Sequence, residues 1–346
     1  MTSQGESSTG HGMSSVEPNL PLPKALDVPT WLSTFEPGKP LAVAFSGGAD
    51  STALLWACQL KWPGQVHAVH VHHGLQSAAD DFVQHCKGFC DLHHIPIEVV
   101  YVNAKHRPGQ SPEDAARRAR YQALEDVLLT KWGGHIKDIA LAQHADDQVE
   151  TVVLALSRGS GLPGLSGMRA QWTNNSVTYH RPILGVPSDQ LRAWATENGL
   201  SWIEDPSNTN ESFTRNKIRQ KILPHLMQTF PNFRQTLSRS AAHIAQAQTL
   251  LLELATEDLA SVGNPPHIKA LQTLTEARRS NLLRHWLQGQ GCRASTAQML
   301  ELNRLIVACT TRGHGIQLKV GESCVVRRNA VLELVEYGVL PNHRVK

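Results

Sequence analysis

The six cysteines of the chain include no Cys-x-x-Cys pair, no Gly-x-x-x-x-Gly-Lys-Ser/Thr loop occurs, and no uncharged apolar stretch approaches the roughly 18 residues of a membrane span. Each absence removes a class of protein. Scattered cysteines without an apolar signal-peptide core do not suit a disulfide framework, and the chain is expected to stay in the cytoplasm without membrane contact. Loss of the Walker-type lysine loop leaves no support for transfer of a terminal phosphoryl group. No repeat at a fixed period is visible, which removes solenoids and propellers. Charged residues make up only 18% and hydrophobic residues 41%, so coiled coils and wholly disordered chains drop out as well.

What is present is a chain of 346 residues, long enough for two domains of ordinary size. Its net charge of +3 hides a division: residues 1–208 carry 15 basic and 21 acidic side chains, residues 209–346 carry 18 and 9. A basic C-terminal part suits a polyanionic partner, although an Arg-rich solvated face would look the same.

Residues 1–23 contain 13 Ser, Thr, Gly or Pro and read as a disordered leader. A short helix is expected over Lys24–Phe35. Apolar β-type runs then occur at Leu41–Phe45, Val66–Val71, Ile97–Val102 and Asp138–Ala142, separated by helical patterns. That rhythm predicts an α/β fold with a parallel sheet covered by helices on both faces and ligands at the carboxyl ends of the strands. Ser111 as N-cap and Pro112 in the first turn mark one helix start. Beyond Asn208 the expectation is mostly helical (about 213–227, 231–262, 274–288 and 295–309), closing on a short terminal β segment at 316–320, 323–327 and 331–335. The boundaries expected are 1–23 for the leader, 24–225 for a catalytic domain and 226–346 for a mostly helical domain.

The six residues Ser46, Gly47, Gly48, Ala49, Asp50 and Ser51 lie directly after the first predicted strand and open the next helix. Two glycines let backbone N–H groups approach phosphate oxygens, and the helix N-terminus adds positive potential. Asp50 cannot help an anion directly, but it can hold Mg²⁺ that bridges phosphates. A Gly-rich turn is the bland alternative. A Gly-x-Gly-x-x-Gly run at Gly159, Gly161 and Gly164 follows a helical pattern and is rejected as a dinucleotide fingerprint. Cys86, Cys90, His93 and His94 could in principle meet a metal, although buried thiols on a helix explain them better.

The SGGADST run at Ser46–Thr52 resembles the N-type ATP pyrophosphatases, and the likeness narrows to the tRNA(Ile)-lysidine synthetase family through HVHHGL at His70–Leu75, PEDAARRARY at Pro112–Tyr121, HADDQVET at His144–Thr151, RGSGLPGLSGM at Arg158–Met168, RPIL at Arg181–Leu184, WIEDPSN at Trp202–Asn208 and RNKIR at Arg215–Arg219. These motifs cover about residues 40–225. The resemblance implies a PP-loop fold and a two-step ligation using ATP and Mg²⁺. O2 of the wobble cytidine, position 34 of tRNA(Ile) with a CAU anticodon, is adenylated with release of pyrophosphate; the amine of L-lysine then displaces AMP to form lysidine. A tRNA thiolase of the same fold and a tRNA-binding protein with a vestigial ATP loop are the alternatives, and a homodimer is left open.

By the same resemblance, Ser46 to Ser51 bind ATP, Asp50 and Asp146 hold metal, and Asp50, Asp146, Arg117 and Arg120 are catalytic. His144, Asp147, Glu150, Arg215 and Arg219 are expected to touch tRNA or lysine. His70, His72 and His73 are read as packing around the ATP site. Family members often carry His-His where this chain has Gln143 and His144, so a role needing two imidazoles is not carried over. Longer members have a further C-terminal domain that this sequence is expected to lack, which would leave tRNA contact to Arg234, Arg239, Arg278, Arg279, Arg284, Arg327, Arg328 or their neighbours.

Overall fold

The computed structural model describes residues 27–72, 79–102, 112–311 and 313–337. In chain order the elements are β1 (Leu41–Ala44), α1 (Ala49–Lys61), β2 (Val66–His72), α2 (Ala79–Leu92), β3 (Ile97–Tyr101), α3 (Pro112–Asp126), β4 (Asp138–Ala140), α4 (Ala145–Ser157), α5 (Leu162–Leu165), β5 (Gln171–Asn174) and β6 (Val177–His180). They continue with α6 (Ser188–Glu197), α7 (Thr214–Lys217), α8 (Leu223–Thr229), α9 (Phe233–Val262), α10 (Ile268–Thr273), α11 (Glu276–Gly289), α12 (Thr296–Ala308), β7 (Gln317–Val320), β8 (Ser323–Arg328) and β9 (Val331–Glu336). Two compact units form, one from the described residues of Met1–Ala142, Thr173–Pro182 and Asp189–Glu204, the other from those of Gln143–Trp172, Ile183–Ser188 and Asp205–Lys346.

The first unit is built on a six-stranded sheet of order β3-β2-β1-β4-β6-β5. The pairs β1·β2, β1·β4, β2·β3 and β4·β6 are all parallel, with Leu41 opposite both Val66 and Asp138. Apolar runs without alternation gave the parallel sheet its sequence signature, and burial shows why: Leu41, Ala42, Val43, Val66 and Ala68 are fully buried, so both faces of these strands are covered. Because β2 and β4 flank β1 on opposite sides, the carboxyl end of β1 is the point where the strand order reverses.

Two features differ from expectation. In place of a helix over 24–35, the described part has one 3-10 turn, Thr30–Leu32, since Pro29 and Pro37 bracket a stretch too short for an α-helix. The β5–β6 hairpin was not foreseen. Its residues are mostly polar, β5 is largely exposed, and its turn uses Asn175 (φ 46°) and Ser176 (φ 70°), neither a glycine. Residues 1–23, His73 and the proposed N-cap Ser111 lie outside the described residues.

The second unit holds α9, of 30 residues, and a core in which Leu271, Leu282, Leu287, Leu302 and Ile306 pack with Val325 and Leu332 of the antiparallel β7-β8-β9 sheet. Ser295 and Gln298 form a capping box at the start of α12. No helix among the described residues is long and apolar enough to cross a membrane.

Candidate active site

The β1 exit loop is braced from within. The hydroxyl of Ser51 donates to the Gly48 carbonyl (3.0 Å), accepts from the Ser46 N–H (3.2 Å) and lies 2.9 Å from the Ser46 hydroxyl. Ser51 is thus occupied in shaping the loop and is only 4% exposed, whereas Ser46 is exposed. Thr52 binds the Gly48 carbonyl through both its N–H and its hydroxyl, at 3.0 Å each. From the far end of the motif series, the Ile203 N–H donates to the Gly47 carbonyl at 2.9 Å, which gives the WIEDPSN segment a physical task.

Gly47 cannot be replaced without strain. Its φ is +86°, and a Cβ built there would lie 3.0 Å from the Cys86 sulfur of α2. Gly48, at φ −80°, serves as N-cap of α1 and would meet only the Ser46 hydroxyl, at 3.6 Å. Asp50 follows in the first turn of α1, half-buried.

Beside the loop, buried His70 places Nδ1 2.9 Å from the Phe45 carbonyl and 3.3 Å from the Cys86 sulfur. Burial, partly opposed by the Phe45 carbonyl, lowers the affinity of His70 for a second proton, so the ring packs as a neutral brace. His72 sits 3.4 Å from Asp80 and tilts against the Tyr101 ring. Cys86 and Cys90 are fully buried, and burial pushes the Cys90 thiol up to about 12. His93 packs on Trp56 and Phe89. No group of three or more His, Cys, Asp or Glu suited to a metal occurs among the described residues.

On α3, Arg117 and Arg120 are both exposed, and the Arg117 guanidinium lies over the Tyr121 ring, 5.7 Å from its centroid. The Tyr121 hydroxyl accepts from Nη2 of buried Arg181 at 3.1 Å, which ties the RPIL motif to α3.

The remaining predicted residues lie in the second unit, on α4 and the segments that pack on it. The His144 N–H donates to Asp147 at 3.2 Å and closes the α4 N-terminus. Asp146, 4% exposed, accepts from the Ser188 N–H (3.0 Å) and from Nε of Arg234 (2.5 Å). Burial would raise its pKa; hydrogen bonds from His144, Ser188 and Arg234 overcome that and hold it well below the usual carboxylate range. One turn on, Glu150 is 1% exposed and accepts from Nε of Arg219 at 2.7 Å, while Nη2 of Arg219 reaches Asp147 at 3.0 Å. Arg215 stands 3.5 Å from Glu150. Burial nonetheless leaves Glu150 with a raised pKa, against the pull of Arg219. Arg219 lies in a π-helical turn, Ile218–Ile222, a geometry common at functional positions.

Sequence reasoning missed the Arg234–Asp146 pair, because nothing local connects α9 with α4. It also over-counted exposed cations. Arg279 is 6% exposed and donates to Asn303 and to the Leu271 and Leu274 carbonyls, Arg327 ties Thr311 and His314, and Arg278 pairs with buried Asp258. Arg279 is thus structural, whereas Arg278 and Arg328 stay exposed although each pairs with a carboxylate, and Arg239 and Arg284 stay exposed on helices. The run Gly159, Gly161, Gly164 follows α4 and surrounds the one-turn α5, which agrees with its rejection as a dinucleotide loop. Gly164 is close-packed: a Cβ there would lie 2.6 Å from that of Ser160.

A braced glycine loop at the switch point of a parallel sheet defines a PP-loop nucleotide-binding protein, and a PP-loop domain model matches residues 28–226. A second model, the TilS substrate binding domain, matches residues 267–332. The chain is 54% identical to the tRNA(Ile)-lysidine synthase of Polaromonas naphthalenivorans over 83% of this chain and 87% of that one. It is 38% identical to that of Methylococcus capsulatus (90% and 71%) and 41% identical to that of Escherichia coli O157:H7 (72% and 58%). The chain belongs to the tRNA(Ile)-lysidine synthase family. A U34-tRNA thiolase from Methanococcus maripaludis shares the fold at a TM-score of 0.51 and 16% identity, covering 60% of this chain and 72% of the thiolase. At that identity the likeness extends to the fold alone.

Proposed function

We propose that the chain adenylates O2 of the wobble cytidine of tRNA(Ile) with ATP and then joins L-lysine to C2, releasing AMP and pyrophosphate. The observation that carries the first step is the pre-shaped β1 loop. Amides of Gly47, Gly48 and Ala49, at and just before the start of α1, are assigned to the leaving pyrophosphate, where negative charge grows in the transition state. A single carboxylate such as Asp50, in the first turn of α1, suits Mg²⁺, since that ion keeps waters and shares its shell with phosphates. When bound, it would neutralise charge on the leaving group. Asp146, which joins the start of α4 to Ser188 and to Arg234 of α9, is assigned to position α4.

The second step needs carboxylates that hold an ammonium group and orient it. Asp147 and Glu150 supply them, with Arg219 and Arg215 keeping the pair from carrying two uncompensated charges. Burial, which raises the pKa of Glu150, equips it to take a proton as the lysine amine becomes nucleophilic. Arg117 and Arg120, as forked donors, are assigned to phosphate of the reacting nucleotide. The rival thiolase reading lacks the paired cysteines of a sulfur relay.

The test is a two-stage assay with a tRNA(Ile) transcript bearing CAU. Pyrophosphate should appear with ATP and tRNA alone, and labelled lysine should enter the tRNA only when the amino acid is added. Modification that proceeds without lysine, or an Asp50→Ala variant as active as the parent, would overturn the reading.

A further inference from the structure

A concavity of about 510 Å³ opens in the first unit between α3 and the turn of the β5–β6 hairpin. Arg117, Arg118, Tyr121 and Gln122 line it from the helix, Asn174 and Asn175 from the hairpin. Glu125 forms its floor, only 4% exposed, and accepts hydrogen bonds from Nδ2 of Asn174 (2.5 Å), Nδ2 of Asn175 (3.0 Å) and the Tyr179 hydroxyl (3.0 Å).

Three features make this a built site. The buried carboxylate holds a turn in which two consecutive non-glycine residues, Asn175 and Ser176, adopt positive φ, and such backbone persists only where its surroundings over-determine it. With both Asn amide nitrogens turned to Glu125, and the Gln122 amide nitrogen turned to Asp126 at 2.9 Å, the amide oxygens remain as acceptors on the rim. Arg117 is stacked on Tyr121, while Arg118 is exposed. The rim thus sets an exposed guanidinium beside hydrogen-bond acceptors, within the acidic half of the sequence.

We propose that this concavity is an RNA subsite, in which Arg118 binds a backbone phosphate and the amide oxygens of Asn174 and Asn175 accept from the amino group or 2′-hydroxyl of the same nucleotide. This rests on the reading of the chain as a tRNA-modifying enzyme. A strand of RNA suits it better than free ATP, because the concavity is open-sided and lacks a glycine-rich nest of amides for a triphosphate.

The test uses the full chain and a tRNA(Ile) transcript, with binding followed by fluorescence anisotropy over a series of KCl concentrations. Arg118→Glu should weaken tRNA binding about tenfold and lower the salt slope by about one, while ATP affinity and melting temperature stay at parental values. Arg118→Lys should recover most of the loss. The double variant Asn174→Ala, Asn175→Ala should weaken binding with the slope unchanged; if it melts early, Arg118→Glu, which leaves the Glu125 clamp intact, decides alone. Arg118→Glu binding tRNA within twofold of the parent overturns the subsite, and a parallel fall in ATP affinity overturns it in favour of a mononucleotide site. A parent that neither binds tRNA(Ile) nor forms lysidine overturns the function itself, whereas an active parent with an unaffected variant overturns only the subsite.

Discussion

Arg234, in the first turn of α9, donates through Nε to Oδ1 of Asp146 in the first turn of α4 at 2.5 Å, and both side chains are largely buried. Removing either partner strands a buried charge, which typically costs about 3–5 kcal/mol, lessened here because Arg234 keeps some solvent access. Arg234→Ala is therefore expected to lose about 2–4 kcal/mol by urea unfolding. A loss below the measurement error would show that the pair is not structural.

The same pair gives a pH dependence with a definite sign. Asp146 has a depressed folded-state pKa, so its contribution is complete above the unfolded-state value near 4 and is lost as pH falls from there toward the folded-state value. Melting temperatures from pH 7 to pH 3 should show a steep acid limb in the parent. Asp146→Asn should flatten that limb and lower stability at pH 7.

Glu150 behaves oppositely. Its pKa is raised, so burying it charged opposes folding, and its favourable contribution is present below the unfolded-state value and lost as pH rises through the folded-state one. Glu150→Gln is expected to fold with stability within about 1 kcal/mol of the parent, as the lost pairing with Arg219 is offset by the removed charge. Pyrophosphate release should survive in this variant while lysine incorporation falls at least tenfold. Equal losses in both steps would remove Glu150 from the lysine step.

Gly47 and Gly48 should separate by mechanism. Gly47→Ala meets positive φ and the Cys86 sulfur together, and is expected to cost about 1–3 kcal/mol and abolish ATP binding. Gly48→Ala has ordinary φ and only a distant hydroxyl for a neighbour, so it should lose no more than the roughly 1 kcal/mol that separates Gly from Ala at an N-cap. Isothermal titration with ATP, beside thermal melts of both variants, checks the contrast.

Cations of the second unit should also divide. Arg239→Glu and Arg284→Glu, on exposed helix positions, should weaken tRNA binding most at low salt and leave the melt unchanged. Arg279→Ala should lower stability by about 2–4 kcal/mol, because Asn303 and two carbonyls lose a buried donor.

The parallel strands and long helices were legible in the sequence because their signals are local: apolar runs such as Leu41–Phe45 and 3.6-residue periodicity through α9. The SGGADS loop was legible for the same reason, since its glycines lie between a strand and a helix start. The braces were not. Ile203 on Gly47, Arg234 on Asp146 and Glu125 under Asn174 and Asn175 each join positions far apart in the chain, and residue type at one end says nothing about the partner. Arg279 and Arg284 show the same limit within one helix. Both read as basic, yet only the first turns inward to cap carbonyls.

The hydrogen bond from Ile203 to the Gly47 carbonyl also orders events in time. A ribosome makes the nucleotide loop early and its clasp much later, after the hairpin and α6. The full set of loop hydrogen bonds is thus a late property of the growing chain: a fragment that stops short of Ile203 carries the whole loop sequence without the residue that clasps Gly47. Until then the loop is braced by Ser51 and Thr52 without Ile203.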